Sequence, residues 1–237
     1  MKIASKKINL LLTASALVFV SSQVQAQDLS ITVTNLTQGL HFTPIITAAH
    51  IDGDHIFMVG STATAELQAM AEGGDISGLV TMLSNADANT NENPVGGLLA
   101  PGMSTTYMLT NGSANTHLSM TAMILPSNDG FVGLDSWKIP TEAGTYTIML
   151  NAYDAGTEAN NELINGGGTP GVLGIPAAPS GGSGTGGTGI TDIENNTVVH
   201  IHRGSIGDDN MDGGPSDLNN SIHRWLNPVA KLTVTIQ

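Results

Sequence analysis

Cysteine is absent from the 237 residues. That excludes a disulfide scaffold, a thiol nucleophile and any thiolate-held zinc or iron–sulfur centre. Basic residues are nearly as scarce. Lys and Arg number 7 against 20 Asp and Glu, and Lys2, Lys6 and Lys7 all precede residue 27. Residues 27–237 thus carry 4 basic and 20 acidic groups. Nucleic acid and anionic membrane faces need Lys/Arg patches, so no nucleic-acid partner is expected and cation binding is favoured. Aromatics make up 4% and charged residues 11%, while glycine reaches 29, a balance that predicts turns and polar strand faces rather than long helices.

No apolar run approaches the ~20 residues of a transmembrane helix. The run Ile8–Val20 follows three lysines and precedes Val24-Gln25-Ala26, a small-x-small cleavage signal. Residues 1–26 therefore read as a removable signal peptide, and the chain as secreted or periplasmic. No cysteine follows the run to carry a lipid anchor.

Residues 27–237 are expected to form one all-β domain, an antiparallel β-sandwich with two short helical segments and a long Gly-rich loop. Leu29, Ile31 and Val33 alternate with polar residues over 29–34. The same period predicts strands at 103–109, 117–125, 145–150, 197–203 and 229–236, with a shorter one at 55–59. On the strand 117–125, Leu118, Met120, Ala122 and Ile124 share a face. Helical spacing replaces strand spacing at Ala63, Leu67, Met70 and Ala71, which Gly73-Gly74 ends, and again at Ile76, Leu79, Val80 and Leu83. Residues 165–189 are dominated by Gly, Pro, Ser and Thr and read as a flexible loop that buries no apolar surface. Its Gly184-Thr-Gly186-Gly-Thr-Gly189 matches a dinucleotide fingerprint in letters only, because neither the strand nor the helix that would make it a phosphate site flanks it.

Two acid-bearing segments follow predicted strands directly: Pro126–Asp135 and Asn151–Glu162. With one extended segment between them, both emerge at the same end of a sandwich. Oxygen ligands converging from separate loops are what Ca2+ requires. Bringing Asp129, Asp154 and Glu158 together without a cation costs several kcal/mol of repulsion at intermediate dielectric. The competing reading is a set of solvated loop acids.

Ile31–Thr37, Leu67–Asp75, Pro126–Asp135, Tyr153–Glu158 and Asn227–Ala230 together resemble the spondin N-terminal domain, over roughly residues 28–237. That domain opens larger animal matrix proteins and also stands alone as exported bacterial proteins. The resemblance implies a β-sandwich with Ca2+ at one end, held by Asp129, Asp154 and Glu158. It leaves open whether Asp135 or Glu162 completes the shell. Here Gly130 stands where animal members carry Trp, and Glu158 replaces an Asp. The animal cysteines and the repeats that follow the domain are missing.

Asp208-Asp209-Asn210-Met211-Asp212-Gly213 matches the first half of an EF-hand loop, but position twelve is Asn219 and no helices flank it, so a solvated loop is the stronger reading. His200 and His202 alternate on a predicted strand and lack a third zinc ligand in sequence. No serine elbow, H-E-x-x-H, S-x-x-K or Walker sequence occurs. The expected function is a non-enzymatic calcium-binding recognition or adhesion module that contacts an unidentified protein or glycan. The alternative is a Ca2+-assisted hydrolase of an envelope or extracellular polymer.

Overall fold

The computed structural model describes residues 27–112, 114–179 and 183–237. The expected signal peptide, 1–26, lies outside them. Among the described residues ten strands and two helices follow in order: β1 (Leu29–Asn35), β2 (His41–Phe42), β3 (Ile46–His50), α1 (Ala65–Gly73), α2 (Ser77–Asn85), β4 (Asn89–Glu92), β5 (Ser104–Leu109), β6 (His117–Leu125), β7 (Gly130–Lys138), β8 (Gly144–Asp154), β9 (His200–Ile201) and β10 (Ala230–Ile236).

The all-β expectation holds. Every strand pairing is antiparallel, and the hydrogen-bonded order is β4-β3-β6-β7-β8-β10-β1-β5, with β2 extending from β6 and β9 from β8. The long β8 joins two facing layers. Residues 144–150 pair with β10, and 151–154 pair with β7. At the far edge the Asn91 side-chain amide donates to Met108 O at 3.1 Å, so β4 and β5 nearly close the sheet on itself.

Between the layers lies the main core. Leu29, Ile31 and Val33 of β1 and Leu232, Val234 and Ile236 of β10 meet Leu118, Met120, Ala122 and Ile124 of β6. Each fully buried Leu or Ile contributes about 1.5–3 kcal/mol of apolar burial. The outer face of β3, β6 and β7 is covered by α1 and α2, where Met70, Leu79 and Leu83 pack on Met123 and Phe131. Thus β6 is buried on both faces. The opposite outer surface is a threonine ladder, with Thr32 on Thr106 and Thr34 on Ser104, both at 2.8 Å.

Thr64 caps α1 through its hydroxyl, which accepts from Leu67 N at 3.2 Å, and Gly74 ends it at φ 72°. Three expectations are corrected. The strand expected at 197–203 is only the two-residue β9. Residues 55–59 form no strand; Ile56 and Phe57 are buried there on irregular backbone. The strand is β3 instead, buried at every position and so without the alternation that would announce it. Within the Gly-rich stretch, Ile175 is fully buried and bridges Ile164, contrary to the expectation that this segment buries nothing apolar.

Asn35 closes β1. Its amide donates to Leu40 O at 2.8 Å and Leu99 O at 3.1 Å, while its oxygen accepts from Thr37 N at 3.0 Å. An Asn35→Ala substitution removes both amide hydrogen bonds and the buried acceptor of Thr37 N and is expected to cost on the order of 2 kcal/mol, read as a lower urea midpoint at unchanged slope.

Candidate metal centre

The chain makes a four-residue connection between β6 and β7, and Asp129 is its last residue. Antiparallel pairing sets Gly130 opposite Asp154, the last residue of β8. The two acid-bearing loops therefore meet at one end of the fold, as their spacing predicts. Ala155 N donates to Asp129 O at 3.2 Å and ties them.

Asp129 is fully buried. Its Oδ2 accepts from Thr157 N at 2.9 Å and Glu158 N at 3.2 Å, whereas Oδ1 has no partner. Burial, followed by repulsion from Asp154, pushes its carboxyl well above the usual range, against the pull of the two amides. Asp154 is also buried; Oδ1 accepts from Gly156 N and Oδ2 from the Asn160 side-chain amide, each at 2.8 Å. His200 Nε2 stands 3.7 Å from the same Oδ2. Glu158 is 6% exposed. Its Oε1 accepts from Asn128 Nδ2 at 3.1 Å and from Gly174 N, while Oε2 is a second buried oxygen without a partner. Burial raises Glu158 to about 7, with Glu72 adding repulsion.

Glycine makes this turn possible. Gly156 adopts φ 70°, and a Cβ there would stand 2.7 Å from Asn196 O and Val198 N.

Two carboxylate oxygens, Asp129 Oδ1 and Glu158 Oε2, one from each loop, are buried acceptors with no donor. Asp154 oxygens accept one hydrogen bond each in the described contacts and retain lone pairs. Among the described residues no group of three or more His, Asp or Glu side chains stands in ligating arrangement. In chemistry the donors present, carboxylate oxygens beside backbone carbonyls, are those of a hard cation, which takes six to eight oxygens and draws several from backbone and water.

The other candidates separate from this centre. Asp135 lies inside β7 and pairs with His55 Nδ1 at 2.8 Å. Glu162 is buried, and its oxygens accept from Ile206 N at 2.5 Å, Gly207 N at 2.9 Å and Ser216 Oγ at 2.6 Å. Asp208 accepts from Asn210 N at 2.9 Å and Ser216 N at 2.9 Å, and Asn210 accepts from Asp212 N at 3.0 Å, so this loop uses its oxygens on its own turns. His200 donates through Nδ1 to Val198 O at 2.8 Å. His202 Nδ1 accepts from Gly204 N at 3.0 Å, which puts the ring proton on Nε2, 3.1 Å from Asn160 Oδ1. Both His202 nitrogens are thereby used, and burial lowers its pKa to about 4.

Sequence reasoning missed Asn128, Asn160 and Glu72. Asn128 reaches Glu158, Asn161 and Glu162 N at once, at 3.1, 2.8 and 3.1 Å. Glu72 is a fully buried acid on α1 that receives Gly171 N at 2.6 Å. All three stand inside the motifs quoted above, and an acid on the inner face of an amphipathic helix is itself a signal.

A pH prediction follows from Glu158. Its folded pKa is raised above the unfolded value, so its contribution is full below about 4.5 and is lost as pH rises through about 7. His202 works oppositely, contributing above about 6.5 and losing that as pH falls through about 4. In metal-free protein the Tm of wild type minus that of Glu158→Gln is therefore expected to become steadily more negative from pH 4.5 to 7; a flat difference would refute the burial of that charge.

An antiparallel all-β domain with an acidic, buried loop junction at one end is the class that fold and site define. The family described as Spondin_N matches residues 33–162, more than half the chain and including both loops. The chain belongs to the spondin N-terminal domain family, a domain of the extracellular type. No curated protein sequence matches it. Among the described residues no helix is long and apolar enough to cross a membrane.

Proposed function

We propose that this is an exported recognition or adhesion module, without catalytic activity, whose end loops are pinned by one Ca2+ ion. Asp129, Asp154 and Glu158 would hold the ion with backbone carbonyls of the same loops. The observation that carries this reading is the pair of unpartnered buried oxygens, Asp129 Oδ1 and Glu158 Oε2. When bound, the ion supplies positive charge that offsets the clustered acids. The chain does the rest. Thr157 N and Glu158 N orient Asp129, Asn128 and Gly174 orient Glu158, and Gly156 and Asn160 orient Asp154. The result is two loops fixed relative to each other, a rigid end surface for a protein or glycan. Burial of all three carboxylates favours a pinning ion over a catalytic one.

Melting with millimolar Ca2+ against chelator tests the reading, because a weak extracellular-type site is filled at that concentration. A rise in Tm supports it. No rise, or turnover of a polysaccharide or ester panel that Asp129→Asn abolishes, would replace it with another class of protein.

A further inference from the structure

We propose that a cleft beside the metal centre, walled by Arg203 and Arg224, binds a saccharide that carries a carboxylate, an acidic sugar of the uronate kind. The inference deepens the recognition reading and rests on it.

Residues 27–237 contain only Lys138, Arg203, Arg224 and Lys231 as cations, and two of these four line one cavity of about 480 Å3. Packing brings them together from distant parts of the chain. Ser205 Oγ donates to His223 O at 2.6 Å. Gly204 sits at φ 83° so close to the next segment that a Cβ would stand 2.7 Å from Trp225 O. These two contacts clamp the backbone on either side of the arginines. The ion pairs among the described residues all use histidine as the cation, so neither guanidinium is neutralised, and both residues are exposed.

In a chain of net charge −13, two guanidiniums on the wall of one cavity, neither in an ion pair among the described residues, gain from an anion between them. The planar forks match a carboxylate. Glu162 is the carboxylate on the cavity wall, and its oxygens are already taken by Ile206 N, Gly207 N and Ser216 Oγ. The remaining wall selects the ligand's uncharged part. Asn160, Thr191 and Asn195 offer amide and hydroxyl groups, and Ile190, Ile193 and Ile206 offer apolar surface. Alternating hydroxyls and C–H faces are the surface of a sugar. The acidic surroundings disfavour a dense polyanion, so an isolated carboxylate on a neutral scaffold fits best.

Hydrogen bonds link this cleft to the metal centre. Asn160 Nδ2 donates to Asp154 Oδ2 at 2.8 Å, His202 Nε2 donates to Asn160 Oδ1 at 3.1 Å, and Gly204 N donates to His202 Nδ1 at 3.0 Å, one residue from Arg203.

Calorimetric titration of the whole protein with a glucuronate-terminated disaccharide, its methyl ester, and galacturonate and N-acetylneuraminate counterparts tests the proposal. At least one acid is expected to bind saturably and its ester at least tenfold more weakly. Arg203→Ala with Arg224→Ala is expected to weaken the acid at least tenfold, and the paired Lys variants, which keep charge but lose the fork, by less. The Ala pair is expected to keep the wild-type rise in Tm with Ca2+, which also shows that it is folded. Equal binding of acid and ester, equal binding by the Ala pair, or an acidic peptide titrating where no acidic sugar does, would overturn the cleft assignment. Absence of the Ca2+ response in wild type would instead sink the metal reading, while a sugar that still titrates would leave this assignment standing.

Discussion

Asp129→Asn is expected to erase the Ca2+-dependent rise in Tm while leaving the metal-free protein melting no lower than wild type. An ion present at 100 times its dissociation constant adds about 2.7 kcal/mol to folding. For a domain of this size each kcal/mol moves Tm by about 2–4 °C, so the wild-type rise is about 5–11 °C. The substitution keeps an oxygen for Thr157 N and Glu158 N, which hold Oδ2 now. What it removes is a charge that burial and Asp154 both oppose in the metal-free state. A carboxylate that merely braced the loops would behave otherwise: its loss would lower Tm with and without Ca2+ alike.

Phe131→Ala is expected to cost about 3–5 kcal/mol, a drop in Tm of about 6–20 °C, while a Ca2+-dependent rise persists. Phe131 is fully buried on β7, directly after the strand's first residue. Its ring meets Phe57 edge-on at 5.0 Å and stacks on Tyr153 at 5.6 Å. Gly133 beside the rings has no side chain to fill the void, since a Cβ there would stand only 2.6 Å from Phe57. Urea unfolding in chelator and in Ca2+ separates the two variants. One loses the difference between conditions; the other loses stability in both.

Two of the strands legible in the sequence, β1 and β10, have one face that is only partly buried. β1 and β10 alternate strictly, and their inward residues are the ones that alternation names. β3 was not legible, because Ile46–His50 is covered on one face by the facing sheet and on the other by the helices, which erases period two. Residues 55–59 carry Ile56 and Phe57 for burial against β7 and the helices, but no neighbouring strand takes up their backbone. Of the candidate site, the carboxylates were legible, since Asp129, Asp154 and Glu158 stand in two segments that follow predicted strands and carry the spondin motifs. Their orienting groups were not: Asn128 and Asn160 look like ordinary loop residues until the backbone places them. Gly174 was hidden for the same reason. A glycine in low-complexity sequence gives no sign that its amide will meet Glu158.

The pinning of two loops by one ion is tested most directly by a crystal structure grown with Ca2+, read through its anomalous difference map. The account predicts one strong peak at about 2.3–2.6 Å from both Asp129 Oδ1 and Glu158 Oε2, with Asp154 in the same shell. A map with no peak there, or with its peak at Asp208 and Asp212 instead, would contradict it.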